Sequence, residues 1–191
     1  FIRDEFGNER LLMRFSSPGE SDELAYRAVF DARVEQGKTP GPGDFMETPL
    51  TEADSGIARA AIEEGSGLSG IEKALALASY VSETLSYDQG SVETAESAIW
   101  AFRAKKGACD EYSNLLISLL REAGIKAGYA YGYALSDGWG PHGWVEVLSA
   151  GETYSINPTW AESPVDSTHI RFASLPIAIL AGRVIVLGTA K

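Results

Sequence analysis

The sequence of 191 residues holds a single cysteine, two histidines and two methionines, and its basic residues are outnumbered by acidic ones, 16 against 27. One cysteine forms no internal disulfide and rules out cysteine-rich zinc or iron–sulfur sites, so thiol usage leaves the redox compartment open. The net charge of −11 lacks the positive field that draws nucleic-acid phosphates or anionic membrane surfaces. No nucleic-acid partner is expected. The acidity mildly favours a basic partner, but a solvated acidic face accounts for it equally well. Long apolar runs are also missing. "LPIAILAGRVIVLG" is too short for a membrane span and carries Arg183, so it is expected to form strands. The chain starts at Phe1 with no charged-then-apolar leader, which we read as a processed or excised soluble piece of unknown compartment.

Apolar residues make up 45% of the chain, enough for a packed core. "RLLMRF" suits a strand and "SDELAYRAVFDARVEQG" a helix. "GKTPGPGDF" is a turn-rich connector, and a second, acidic helix is expected over about Thr51 to Glu64. Residues 1–65 are expected to form an N-terminal helical or irregular appendage and residues 66–191 the catalytic core. In "SGIEKALALASYVSETLSYD", Ser69 and Glu72 suggest a capping box, and Ile71, Leu75, Ala78, Val81 and Leu85 recur at helical spacing. "ETAESAIWAFRA" predicts another helix. The next starts near Cys109, with Leu115, Leu116, Leu119 and Leu120 as its apolar face and Gly124 as its stop. Then the period changes to two. "KAGYAYGYAL", "GWVEVLS" and "ETYSIN" alternate, which predicts an antiparallel sheet after the helices, an α+β plan.

His142 stands just before one predicted strand and Asn157 just after the next, so a hairpin brings them together. Cys109, at a helix head, completes a Cys-His-Asn set. Unpaired N–H groups at that helix end and an adjacent imidazolium would lower a thiol from its usual pKa of about 8.5. Asn157 would orient the imidazole. Such a set attacks a carbonyl, forms a thioester and passes the acyl group to water or an amine. Asp110 and Glu111 favour the helix end but oppose thiolate formation. His169 has no such pattern around it and is read as structural or surface. Tyr129, Tyr131 and Tyr133 line up at strand spacing, as packing or as a cleft wall. Glu146 faces either the site or solvent. No acidic cluster has metal-ligand spacing, so no metal and no cofactor are expected.

"GACDEYSNLLISLLREAGIKAGYAYGY", "HGWVEV" and "NPTW" together resemble the core of the transglutaminase-like superfamily, a branch of the papain-like cysteine enzymes. "LSYD" and "VDSTHIRFA" resemble the flanking segments, so the resemblance covers about residues 68–173, and residues 1–65 carry no motif of the family. It implies a papain-like α+β fold with Cys109 as nucleophile, His142 as base and Asn157 as the third residue, where the family commonly has Asp. An Asn orients the imidazole without stabilising its charge. The Cys109 N–H is the default oxyanion donor, and Tyr87, in "LSYD", is preferred over Trp100 as the second. Trp144 and Trp100 are candidate substrate-binding residues. The expected function is cysteine-dependent acyl transfer on a peptide or protein substrate, first as peptide or isopeptide hydrolysis. The alternatives are amine transfer to glutamine side chains and a catalytically weak interaction domain.

Overall fold

The computed structural model describes residues 2–3, 9–10, 45, 47–90 and 95–173. The predicted helix from Ser21, most of "RLLMRF", and the apolar stretch "LPIAILAGRVIVLG" lie outside them. Strands β1 (Ile2–Arg3) and β2 (Glu9–Arg10) form a small antiparallel pair. A 3₁₀ turn, Pro49–Thr51, precedes α1 (Ser55–Glu64), whose Asp54 cap accepts the N–H groups of Gly56 and Ile57 at 2.9 and 3.0 Å. Then come α2 (Gly70–Thr84), β3 (Ser86–Tyr87), α3 (Ala98–Ala104), β4 (Lys106–Gly107) and α4 (Cys109–Glu122). Four strands follow: β5 (Lys126–Leu135), β6 (Trp139–Ser149), β7 (Glu152–Ile156) and β8 (His169–Ala173). They make one antiparallel sheet in the order β7-β6-β5-β8. Helices first and an antiparallel sheet after is the α+β plan expected from the change of period.

Helix α4 lies at the centre. It is buried from Glu111 through Leu120, all round rather than along one leucine face. Its leucines meet Ile57 and Ala61 of α1, Leu77 and Val81 of α2, and Val145 and Val147 of β6 in one core. A helix buried on every side must satisfy its polar residues internally. Asn114 Nδ2 donates to the Glu96 carbonyl at 2.7 Å, and Ser118 Oγ to the Glu52 carbonyl at 3.2 Å. Gly124, at φ +76°, takes the left-handed turn that ends the helix.

Two local expectations are corrected. The buried stripe of α2 is Ala74, Leu77, Ala78 and Val81, while Leu75 is 40% exposed. Ala78, Val81 and Leu85 are buried as expected, and Leu75 gives way to Ala74 and Leu77 because packing against α4 chooses the face. Ser69 caps α2 through its backbone alone, without a side-chain bond, so the capping box is not formed. Before the expected boundary at residue 65, α1 and the 3₁₀ turn pack on α4. Arg121 donates to Thr51 Oγ1 at 2.9 Å and to the Phe45 carbonyl at 3.3 Å. Among the described residues no helix is long and apolar enough to cross a membrane.

Candidate active site

Cys109 is the first residue of α4 and partly buried. A short parallel pairing of β3 with β4, Tyr87 opposite Gly107, delivers the chain to this helix start. The capping group is Glu111, whose side chain is fully buried. Its Oε2 accepts the Ala108 N–H at 2.7 Å and its Oε1 the Glu96 N–H at 2.7 Å. Gly107 is required beneath it, since a Cβ there would lie 2.3 Å from the Glu111 Cβ.

The electrostatics at Cys109 differ from the expected thiolate–imidazolium pair. Burial, then the neighbouring Asp110 and Glu111 carboxylates, push the thiol up to about 12, against the N–H groups of Gly143 and Asp110 that favour the anion. Desolvation therefore outweighs the helix N-terminus, and the resting group is a neutral thiol. Burial also lowers His142 below its usual range, against its bond to Asn157, so the resting imidazole is neutral too.

His142 lies inside β6, opposite Gly132 of β5, rather than ahead of the strand, because β5 pairs with β6 back to Trp139. Asn157 follows β7 directly and is fully buried. The hairpin brings His142 Nε2 within 3.2 Å of Asn157 Oδ1. Asn157 also holds its own turn, with Oδ1 accepting the Thr159 N–H at 3.2 Å. Gly143, next to His142, lets β6 approach α4. A Cβ there would lie 3.2 Å from Asp110 Oδ1 and 3.5 Å from Tyr131 Cδ2.

The other expected residues divide. Tyr87 is 55% exposed, its ring tilted against that of Tyr112 at 6.4 Å, and burial followed by the Cys109 charge raises its phenol pKa. Trp144 is 2% exposed, with its ring edge-on to His169 at 5.1 Å, so it backs the site rather than opening to a substrate. Trp100 lies with Ser97, Ile99, Arg103 and Ala104 in a depression of about 440 Å³ that Cys109, His142 and Asn157 do not line. Tyr129 packs in the core, and Tyr131 stands near Asp110 and Cys109, its phenol pushed up to about 12 by burial and their charges. Glu146 is turned away from solvent. It is 9% exposed and pairs with Arg171 of β8 at 2.9 Å.

Two residues given no site role by the motifs belong here. Trp160 stacks on His142 at 4.5 Å between centroids and 6° between planes, and is 42% exposed. Its position at the end of "NPTW" was a signal for it. His169 is 8% exposed, with Nε2 at 3.1 Å from Asn157 Nδ2. It lies in "VDSTHIRFA", a flanking segment that gave it no role at the site. Glu162, Asp166 and His169 also bring ligand-type atoms within 4.8 Å of one another, which no spacing in the sequence disclosed. Both His169 nitrogens already face protein groups, Asn157 and Thr168, so a metal there would have to displace them.

One solved structure agrees with the fold, and two others are similar over part of their length. A candidate cysteine protease from Cytophaga hutchinsonii is 23% identical with a TM-score of 0.50, over 60% of this chain and 46% of that one. The periplasmic domain of TgpA from Pseudomonas aeruginosa is 20% identical with a TM-score of 0.48, over 62% of this chain and 46% of that one. A TGase crystal structure is 18% identical with a TM-score of 0.47, over 55% of this chain and 31% of that one. This chain thus spans less than half the length of these structures. No curated protein matches. The model of the transglutaminase-like superfamily matches residues 57–158, which run from the first core residue of α1 past Cys109 and His142 to Asn157, so the chain belongs to that superfamily.

Proposed function

We propose that the chain is a cysteine-dependent acyl-transfer enzyme that hydrolyses a peptide or isopeptide bond through a thioester. The observation that carries this reading is the bond between His142 Nε2 and Asn157 Oδ1, with the next residue, Gly143, packed against Asp110, the neighbour of Cys109. Base and nucleophile are thereby held to one stretch of β6. Because both groups rest neutral, His142 acts as a general base rather than as half of a standing ion pair. As the Cys109 sulfur bonds to the carbonyl carbon, the free ring nitrogen, Nδ1, takes the thiol proton. The Cys109 N–H and the Tyr87 hydroxyl donate to the oxyanion. The C–N bond then breaks, and the amine leaves with the proton from Nδ1. Water attacks the thioester, gives a proton to His142, and the sulfur departs to recover it as a thiol.

Transfer to an amine instead of water would use the same residues and give cross-links. A catalytically weak interaction domain is the other reading, favoured by a thiol pushed up to about 12. The test is mass-spectrometric trapping of an acyl adduct on Cys109 from a panel of peptide, isopeptide and glutamine-containing substrates, with and without an added amine. An adduct that water releases supports hydrolysis, and an amide product supports transfer. No adduct on any substrate, with Cys109→Ala indistinguishable from the parent, favours the weak domain.

A further inference from the structure

Asn157 has a difficulty that an aspartate would not have. Its amide can present either oxygen or NH₂ to His142, and only the oxygen sets the imidazole as a base on the opposite nitrogen. The surrounding groups decide the matter. The Thr159 N–H can only donate, so the Asn157 atom 3.2 Å from it is oxygen. That oxygen is also the atom 3.2 Å from His142 Nε2, so Nε2 carries the ring proton and Nδ1 is left with the lone pair. The Asn157 NH₂ group then points the other way, at 3.1 Å from His169 Nε2, which must accept and so bears no proton. His169 is consequently protonated on Nδ1, which faces Thr168 Oγ1 at 3.1 Å. The Thr168 hydroxyl is left to donate to Asp166 Oδ1 at 2.6 Å, and Asp166 is anchored by the Thr168 N–H at 2.8 Å. Each hydrogen along this row has one place.

We propose that His169 is a positioning residue that accepts the Asn157 amide and so fixes Asn157 Oδ1, and with it the tautomer of His142. The proposal rests on the catalytic reading above and explains how an Asn serves at position 157. The Glu162 carboxylate, 3.8 Å from His169 Nε2, stands on the same side of this fully buried amide and favours its NH₂ group there. Burial and the nearby His142 hold His169 down at about 4, so it is a neutral acceptor near pH 7. The Arg171–Glu146 pair, at 2.9 Å, ties β8 to β6 and keeps His169 in reach.

The test begins with the unaltered chain. Two-bond ¹⁵N–¹H correlation of labelled histidines near pH 7 should find His142 protonated on Nε2 and His169 on Nδ1. His169 found on Nε2 or doubly protonated would overturn the proposal, whatever the fate of any substitution. The second arm measures Cys109 alkylation by iodoacetamide in His169→Phe and His169→Gln. Loss of a buried acceptor should slow His169→Phe about tenfold and mix the His142 tautomers, while the Gln oxygen keeps the rate within about twofold. A carboxylate at 157 needs no acceptor for an NH₂ group. The Phe substitution should therefore cost less than about twofold when made in an Asn157→Asp background. An equal loss in both backgrounds would mean a merely structural role and would overturn the proposal. None of these readouts needs substrate turnover. A chain with the stated tautomers but no acyl adduct would refute the catalytic reading and leave the positioning role standing.

Discussion

Glu111→Gln should weaken the fold and, at the same time, make Cys109 more reactive. The carboxylate accepts two buried N–H groups, from Ala108 and Glu96, each at 2.7 Å. Glutamine keeps the shape but has one accepting oxygen, so one N–H is left facing an NH₂ group. An unsatisfied buried donor costs about 1–3 kcal/mol. The surviving bond falls from charge-assisted to neutral, which costs about 1 kcal/mol more. Against this stands the burial of an ionised carboxyl, the first cause of its raised pKa, which the substitution removes. The expected net loss is about 2 kcal/mol, read as a drop of about 4–8 °C in melting temperature for a chain this size. Urea unfolding followed by tryptophan fluorescence measures it. The same substitution removes one of the two carboxylates that raise the thiol pKa. The alkylation profile of Cys109 should therefore move to lower pH. A variant as stable as the parent to within about 0.5 kcal/mol would refute the capping argument. A profile moved to higher pH would refute the electrostatic one.

Asp110→Asn removes the larger charge acting against the Cys109 thiolate, so it should also lower the thiol from about 12, seen as earlier onset of thiolate absorbance in a pH titration. Gly132→Ala should destabilise the sheet by more than the usual 1–3 kcal/mol of overpacking, because its Cβ would fall 1.8 Å from the Ile170 carbonyl oxygen. A melting temperature unchanged by that substitution would contradict the register of β5 with β8. Trp160→Ala strips the ring stacked on His142 and should slow Cys109 alkylation several-fold, with Trp160→Phe restoring most of the rate. Equal rates for the two would leave the stack without a role.

The sequence by itself determined the order of elements, because helical and strand periods are local properties written in successive residues. The change of period after Gly124 and the Cys109, His142 and Asn157 motifs were legible on the same ground. So was the pairing of His142 with Asn157, since a hairpin joins residues near in sequence. Tertiary structure decided what depends on distant segments. The buried face of α2 moved off Leu75 because α4, not α2, sets where the core lies. Glu111 became a buried cap because the Glu96 N–H arrives from a separate segment. The charge state at Cys109 turned on how much solvent the fold removes, a quantity that helix position alone does not carry. His169 entered the site because β8 closes on the far side of β5, which leaves its imidazole facing the Asn157 amide.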